Sequence, residues 1–479
     1  MKKTSINLIV SGSTSPYRRF RLSLIHTRIG ANYSIAVKIA SVIALVTVFV
    51  STSRAQTNAA SGGFHQERSW IVTNSVPTTN EITFAEFLNE VATANLDYAA
   101  QRYNVSIAQA GIAAAKEFQN PTLQLSGGGD VTHSGSQRMP STAGASLTQT
   151  IELGGKRKYR ILGARQNYAA AAATLDEFLR NLKLDAASAF ADALALSRSA
   201  QQKRESARYL TRLADAQRER RRLGDISEAE MLQAQVEEQQ FQNEVLTTEA
   251  DADKAMLALC GFLGRNRGQA RLVAKGDLDL PVREFDVSRL LADALEHRPD
   301  LVSLRHSRDA AESKVHEEKA NRVPNVDVGP NWTHNTSSQN SIAPSPEFDS
   351  VGLSVSFPIP LWNRNKAAIA SARFTAEQAQ KQLEAAELKA EVQIRQAFSA
   401  YRSVVERVRH YQSGILKEAD SVLEAKRFSY ERGQSSLLEL LDAQRTDNEV
   451  RSSYNDALAD QAKALIELER AAHLWSVRF

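Results

Sequence analysis

Cysteine is almost absent from this sequence, which has a single one, Cys260, among 479 residues. One thiol excludes an intrachain disulfide. Because Cys260 lies near the middle of the chain, the sequence also excludes a membrane anchor built on a lipid-modified N-terminal cysteine. We therefore expect neither a disulfide nor a lipid anchor.

Motifs for catalysis or ligand binding are also missing. The run Gly127–Gly129 is followed by Asp130 in a strand-and-loop context, without the lysine and hydroxyl residue of a phosphate-binding loop. The nine histidines are scattered, and His297, His306 and His316 lack the spacing to nearby cysteines that a structural zinc site needs. Since no nucleophilic triad occurs either, we expect no enzyme activity, no cofactor and no bound structural metal.

A long hydrophobic run occurs only near the N-terminus, where Ile39–Val50 is almost wholly apolar. It lies within Met1–Ala55, which has eight basic residues, no acidic ones and small residues at Ser53 and Ala55. This pattern predicts a secretory signal peptide cleaved after Ala55. The alternative is a membrane anchor, but the run of about 12 residues is shorter than the roughly 20 that span a bilayer. Residues 56–80, rich in Ser, Thr, Asn and Gly, are predicted to be a flexible leader.

The charge of the mature chain gives no sign of an acidic partner. Removing the eight basic residues of the signal from the 59 of the whole chain leaves 51 basic residues against 55 acidic ones. The sequence pI of about 9.0 therefore does not indicate nucleic acid. The mature chain also has no run long enough for a transmembrane helix, so it would have to enter a membrane by strands.

Proline is absent and glycine occurs once, at Gly163, between Arg157 and Leu223. Apolar residues recur there in steps of four and three, the period of a coiled-coil seam: Leu175, Leu179, Leu182, Ala186, Ala189, Ala193, Leu196 and Ala200. The pattern predicts one helix of roughly 100 Å. No globular core needs a helix of that length.

A turn ends this helix. Gly224 can supply the C-cap of the long helix, and Asp225 or Ser227 the N-cap of the next one. A second helix then returns as far as Cys260. An irregular linker, residues 263–285, is predicted to follow.

The second half of the chain repeats the first. Residues 88–127 match residues 291–330 with a shift of 203, and residues 144–165 match residues 352–373 with a shift of 208. The seam returns at Ala390, Ile394, Ala397, Tyr401, Val404, Val408, Tyr411 and Ile415. Six of these eight residues lie 208 after a seam position of the first half, whereas Gly433 follows Gly224 by 209.

The repeat defines the organisation of the chain. Each half reads as helix, strand, strand, long helix and return helix, over residues 81–262 and 286–475. Residues 476–479 form a short C-terminal tail.

Each half contains two segments that alternate between apolar and small or polar residues, as a strand with two different faces does. The four predicted strands are Thr122–His133, Gly144–Leu153, Val326–Thr333 and Val351–Leu361. One side of the last strand carries Val351, Leu353, Val355, Phe357 and Ile359. Strands of about ten residues suit a membrane, but a closed barrel takes eight or more. An oligomer would therefore have to pool its strands.

These features together closely resemble the TolC-type outer-membrane efflux channels of Gram-negative bacteria. The resemblance rests on the repeated order, the corners IELGGKR and PIPLWNRN, and the turns Leu223-Gly224 and Arg432-Gly433, and it covers about residues 82–475. The two corner phrases are most similar to the CzcC-like branch, which is associated with heavy-metal efflux. The resemblance implies a mainly α fold with membrane β: a homotrimer with a twelve-stranded β-barrel in outer-membrane lipid, continued by a long α-helical coiled-coil barrel in the periplasm. It also implies docking, through a periplasmic adaptor, to an inner-membrane pump of the resistance–nodulation–division type.

The resemblance also suggests where the channel closes. Acidic residues six and nine after the second turn glycine form the periplasmic gate in the family, and here these are Glu439 and Asp442. They are three residues apart and so share one helix face. Acids near a helix N-terminus can also simply complement the helix dipole, and sequence alone leaves that alternative open.

The resemblance also assigns roles to other residues at the helical tips, which are the ends of the helices at the turns Leu223-Gly224 and Arg432-Gly433. Tyr430 and Glu230 match positions that the family uses as a latch between neighbouring tip helices, although Ser435 stands where the best-known member has arginine. The expected adaptor contacts are the two turns, with Arg222, Leu223, Gly224 and Asp225 in the first and Arg432, Gly433 and Gln434 in the second. Ordinary helix-hairpin chemistry explains the same residues equally well.

Two functions from different classes are consistent with these patterns. The first is a passive export duct across the periplasm and outer membrane. The second is a periplasmic coiled-coil tether without a pore, which would not need four strands with one apolar face. The sequence does not identify the exported substrate.

Overall fold

A computed structural model describes residues 80–129, 141–264, 272–337 and 344–479, all within one compact unit. The predicted signal peptide, and the predicted leader up to residue 79, lie outside the described residues. The cleavage site after Ala55 therefore stays a prediction.

The helices of the first half begin and end where local signals place them. Helix α1 (Phe84–Ala94) starts from a capping box in which Thr83 accepts from the Glu86 N–H and the Glu86 carboxylate accepts from the Thr83 N–H. Asn95 separates α1 from α2 (Leu96–Lys116) by capping the second helix. The long helix α3 (Lys156–Leu223) has 68 residues, and α4 (Glu228–Phe262) returns beside it.

The second half has the same order of elements. Its first two helices are α5 (Val287–His297) and α6 (Pro299–Ala320). The long helix consists of α7 (Lys366–His410), a π-helical turn (Tyr411–Ile415) and α8 (Leu416–Glu431). The return helix is α9 (Leu437–Ala472). The tandem repeat predicted from the sequence is confirmed.

The π-helical turn explains why the sequence shift between the halves changes from 208 to 209. Such a turn holds one more residue than an α-helical turn and so absorbs an insertion without rotating the helix beyond it. The seam residues Ala390, Ile394, Ala397, Tyr401 and Val408, which precede the turn, are buried as predicted. Two seam positions were wrong, because Val405 is buried in place of Val404 and Ile415 is exposed. The π-helical turn interrupts the α-helical period before Ile415.

This assignment gives a testable expectation for single-residue deletions. Deletion of Ser413 should convert the π-helical turn into an α-helical one and lower the melting temperature by only a few degrees. Deletion of Glu205, the residue 208 positions earlier in α3, should turn the rest of that helix by about 100° and unfold the tip. Circular dichroism of the two purified variants measures the difference, and equal losses would contradict the interpretation.

The four long strands form one antiparallel sheet in the order β2-β3-β5-β6. Their bounds are β2 (Thr122–Gly128), β3 (Thr142–Ile151), β5 (Val326–Asn335) and β6 (Phe348–Ser356). The predicted end of the first strand, residues 130–133, lies outside the described residues. The prediction that β6 extends to Leu361 was wrong, because Pro358 and Pro360 have no N–H to donate to a neighbouring strand.

The pairing register gives the sheet one apolar and one polar face. Leu125 pairs with Ala145, Ala145 with Trp332, and Trp332 with Val351. Side chains of alternate residues lie on the same face, so the apolar face consists of Leu123, Leu125, Ala145, Leu147, Val328, Pro330, Trp332, Val351, Leu353 and Val355. The opposite face carries small and polar residues such as Gln124, Ser146, Asn331 and Ser354.

The corner between β3 and α3 explains the phrase IELGGKR. Gly154 and Gly155 have φ values of 75° and 77°, which glycine adopts without strain. Arg157 then donates to the Lys116 carbonyl and Arg160 to the Ala115 carbonyl, satisfying the free C-terminal end of α2. In the second half, Asn365 takes the place of Arg157 and donates to the Glu318 carbonyl at 2.9 Å.

The Glu318 side chain is fixed at the same corner. Its carboxylate accepts from Asn365 at 2.8 Å and from Asn321 at 3.1 Å, and it lies 3.0 Å from the Lys314 ammonium group. These bonds, first of all the one from Asn365, lower the pKa of Glu318 to about 2. The carboxylate therefore stays charged at neutral pH and holds α6 to the start of α7.

The predicted linker, residues 263–285, contains a strand that the sequence did not reveal. Strand β4 (Leu272–Lys275) pairs in parallel with β1 (Asn80–Thr83). Leu272 and Leu278 from this segment lie in the main core with Phe87 and Phe190. The described part of the segment thus has one short strand and no helix or strand over residues 276–285, and it packs against the helical core.

The C-terminal tail belongs to the same core. The Phe479 ring lies 4.7 Å from that of Phe84 and 6.1 Å from that of Phe190. The buried Glu469 carboxylate accepts from the backbone N–H groups of Ser476 and Val477, at 2.9 and 3.2 Å. None of the helices in the described ranges combines the length and hydropathy of a membrane-crossing helix.

Candidate functional site at the helical tips

The two turns at the tips have the same construction. Gly224 and Gly433 adopt left-handed conformations with φ values of 86° and 72°. The N–H of the following residue, Asp225 or Gln434, donates at 2.9 Å to a carbonyl of the last helical turn, that of Arg220 or Ser429. This is the hydrogen-bonding pattern of a glycine C-cap. The described geometry fits ordinary hairpin chemistry and leaves adaptor contact at these turns as a prediction.

Serine begins the return helix at both tips. Ser227 and Glu230 form a capping box, in which the Glu230 N–H donates to the Ser227 hydroxyl at 3.2 Å. In the second tip Ser436 accepts from the Glu439 N–H at 3.3 Å. Glu230, through its capping box, and Glu439, through its backbone N–H, thus also take part in starting their helices.

The predicted gate acids do share one exposed face of α9. Glu439 and Asp442 are exposed, whereas Leu440, Leu441 and Ala443 between and beside them are buried. The arrangement follows from the 3.6-residue period of an amphipathic helix. The acids are therefore available to solvent or to another chain.

Each predicted gate acid has a basic partner that sequence reasoning missed. The Lys426 ammonium group lies 2.5 Å from the Glu439 carboxylate, across the hairpin, and Arg445 lies 2.8 Å from Asp442. The hydrogen bond from Lys426, and then its charge, lower the pKa of Glu439. Within one chain the two acids therefore form ion pairs with two basic residues, and Arg445 also lies 3.8 Å from Glu449. The spacing of three between Asp442 and Arg445 was visible in the sequence, but the approach of Lys426 was not.

The predicted latch residues use different partners within the chain. The Tyr430 hydroxyl accepts from the Gln217 amide and from the Arg220 guanidinium, both at 2.9 Å. Glu230 instead accepts from the Ser227 N–H at 3.2 Å. Tyr430 thus ties α8 to α3, and a latch to Glu230 of another subunit stays a prediction. Ser435, which stands in place of arginine, donates to the Lys426 carbonyl at 3.4 Å.

The remaining tip arginines lie against their own helices. The Arg432 guanidinium is 3.7 Å from the centre of the Phe428 ring, and Arg222 lies 2.9 Å from the Glu219 carboxylate. Both contacts are on the exposed end of the hairpins, where the Arg222–Glu219 ion pair contributes little to stability.

A polar contact joins the two repeats above the tips. Ser206 of α3 donates to Asn448 of α9 at 2.7 Å, and Asn455 of α9 donates to Gln202 of α3 at 2.6 Å. A cavity of about 200 Å³ lies beside these residues, lined also by Gln444. The contact between the repeats is thus partly polar at this level.

The family described as outer membrane efflux protein matches residues 87–265 and 290–472, one segment in each half of the chain. The chain belongs to the outer membrane efflux protein family. Membership identifies it as an outer-membrane efflux channel and decides against the tether. The family consists of channels and not enzymes, and it implies operation with an adaptor and a pump.

The chain is also similar in sequence or structure to individual efflux proteins. The cobalt-zinc-cadmium resistance protein CzcC of Cupriavidus metallidurans is 25% identical over 390 residues, covering 81% of this chain and 89% of CzcC. The resemblance to the CzcC-like branch is thereby confirmed. Among solved structures, CusC has a TM-score of 0.67 at 18% identity, over 81% of this chain and 91% of CusC. The CmeC outer membrane channel of Campylobacter jejuni has a TM-score of 0.66 at 14% identity, over 81% of this chain and 85% of CmeC.

Proposed function

We propose that three copies of this efflux channel pool their strands into one twelve-stranded barrel. Within the described residues of one chain, β2 and β6 each have a neighbour on one side only. An unpaired strand edge in lipid would leave backbone N–H and C=O groups without partners. Pairing of β2 with β6 of the next copy satisfies both edges, and the two-faced sheet then presents its apolar face to lipid.

The helices of the three copies continue this barrel as a duct across the periplasm. An adaptor and an inner-membrane pump of the resistance–nodulation–division type deliver the substrate at the tips. The turns at Gly224 and Gly433 contact the adaptor. The exposed face with Glu439 and Asp442 surrounds the entrance, where Tyr430 and Glu230 latch neighbouring helices.

The substrate that we propose is a divalent heavy-metal cation. The observation that supports it best is the similarity to CzcC, a cobalt-zinc-cadmium resistance protein, over 89% of that protein's length. The acids at the proposed entrance agree with a cationic substrate, because carboxylates attract cations.

Metal accumulation in living cells tests this substrate. A strain from which the gene is deleted, with its pump partners intact, is exposed to Co²⁺, Zn²⁺ or Cd²⁺, and cell-associated metal is measured by mass spectrometry. We expect the deletion to raise the metal content several-fold and the restored gene to reverse the rise. A cationic dye serves as control, and a rise in dye content without a rise in metal would contradict the metal substrate while leaving the channel function intact.

A further inference from the structure

The outer ends of β5 and β6 hold a buried histidine that the channel function does not use. His334 lies near the end of β5 farthest from the helices, and Asp349 of β6 is directly opposite it in the register. The His334 side chain is 1% exposed, and the Trp332 ring is stacked beside it with a centroid distance of 6.1 Å. A charged or polar ring at such a position requires specific partners.

The two ring nitrogens of His334 face two different carboxylates. Nδ1 lies 2.8 Å from Asp349 Oδ1, within hydrogen-bonding distance. Nε2 lies 3.3 Å from Glu347 Oε1, yet among the described residues this buried nitrogen has no hydrogen-bond partner. The Glu347 carboxylate is near Nε2 but is not aligned to accept a proton from it. A buried nitrogen without a hydrogen bond costs stability unless another ligand binds to it.

A metal ion fits this geometry better than a hydrogen bond does. Zinc binds imidazole nitrogen and carboxylate oxygen at about 2.0–2.2 Å in tetrahedral sites, which places two of its ligands roughly 3.3 Å apart. The separation between Nε2 and Glu347 Oε1 has this value. Metal-binding histidines also characteristically donate their second N–H to a carboxylate, which fixes the ring and increases its basicity. Asp349 is placed to accept that bond.

We propose that His334 Nε2 and Glu347 bind a divalent transition-metal ion, with Asp349 positioning the imidazole. The metal belongs to the class that prefers imidazole, such as Zn²⁺ or Cu²⁺. The two nearby carboxylates balance the charge of a divalent ion. The site joins the ends of β5 and β6 at the outer end of the apolar face of the sheet.

Water completes the coordination. Within the described ranges no group of three or more ligating side chains converges on one point, because Asp349 faces the other side of the imidazole ring. Two protein ligands make the site weaker than a structural zinc site, which has four. Glu347 and Asp349 are each about half exposed, so an ion can reach the buried nitrogen from solvent.

Binding of Cu²⁺ to the purified full-length protein without a histidine tag tests the proposal. Electron paramagnetic resonance should show coupling of the metal to one nitrogen at one site per chain, and calorimetry with Zn²⁺ should show the same stoichiometry. His334→Gln should abolish both signals. Asp349→Asn should weaken Zn²⁺ binding by about 10–100-fold, the usual effect of losing the carboxylate behind a metal-bound histidine, and Glu347→Gln should weaken it as well.

The matched control is His306→Gln. His306 lies on α6, outside the sheet, and its Nδ1 is 2.8 Å from the Gln166 amide oxygen, so this variant should bind as wild type does. Circular dichroism checks that each variant folds. Glu347→Gln changes an exposed residue and leaves the buried imidazole ring in place, so it tests the site without disturbing the core. If wild type and His334→Gln bind Cu²⁺ alike, or neither binds it, His334 only forms an ion pair and the proposal is overturned. This result is independent of the exported substrate, because it concerns the sheet and not the tips.

Discussion

Neutralising both gate acids, in the variant Glu439→Gln with Asp442→Asn, is expected to weaken the block of the channel by divalent or trivalent cations by at least about tenfold. The reason is electrostatic, since carboxylates attract divalent cations, although the ion pairs with Lys426 and Arg445 offset part of that attraction. Conductance of the purified protein in a planar bilayer, with cations added on the periplasmic side, measures the effect. The amide substitutions retain side-chain size, so the new amide at position 439 can still accept from the Ser436 hydroxyl.

The basic partners allow a test in the opposite direction. Lys426 lies 2.5 Å from Glu439 and offsets its charge. Lys426→Gln should therefore strengthen the cation block. Loss of Lys426 also removes the main cause of the lowered pKa of Glu439, but a carboxyl with its ordinary pKa of 4.5 is still ionised at pH 7. The stronger block should accordingly be present at neutral pH.

Lys381→Gln is the matched control for this pair of variants. Lys381 lies 2.7 Å from Glu384 on α7, so the substitution also breaks a lysine–glutamate pair, but on a helix far along the chain from the tip. We expect it to leave the block unchanged. If the double acid variant is blocked as strongly as wild type, Glu439 and Asp442 serve only to complement the N-terminus of α9, and the constriction lies elsewhere.

Much of the helical architecture could be predicted because its signals are local. The C-cap at Gly224 and the N-cap at Ser227 each act over a few residues, and the structure has them where the sequence placed them. The repeat could be recognised for a related reason, since each half carries the same succession of such signals. The change of shift from 208 to 209 was visible, but its cause, the π-helical turn at Tyr411–Ile415, was not.

Contacts between distant residues could not be predicted in the same way. Strand β4 pairs with β1, which lies about 190 residues earlier, and neither four-residue strand has a period long enough to recognise. Lys426 reaches Glu439 only because the tip hairpin folds back. His334 could not be distinguished from the other histidines in the sequence, because Glu347 and Asp349 approach it only after β5 and β6 have paired. The contacts at the candidate sites of this protein depend on residues distant in sequence more than on local sequence motifs.

Val355→Arg is expected to prevent assembly of the trimer. Val355 lies on the apolar face of the sheet, opposite Val328, and is more than half exposed in the single chain. If this face contacts lipid near the middle of the bilayer, an arginine there costs about 2–4 kcal/mol in each subunit. Crosslinking of isolated outer membranes, followed by electrophoresis with and without heating, should show a loss of the trimer band relative to wild type.

Ser354→Arg provides the comparison, since Ser354 is the neighbouring residue on the polar face and pairs with Gly329. An arginine on that face would project into the water-filled interior of the barrel, so trimers should still form. The loss of the Ser354 hydrogen bond to the Gly329 carbonyl, at 2.9 Å, accounts for at most a small effect, about 1 kcal/mol. Normal trimers with Val355→Arg and none with Ser354→Arg would mean that the polar face contacts lipid. Monomers alone in wild-type outer membranes would refute the pooled barrel itself, because a single chain leaves β2 and β6 unpaired.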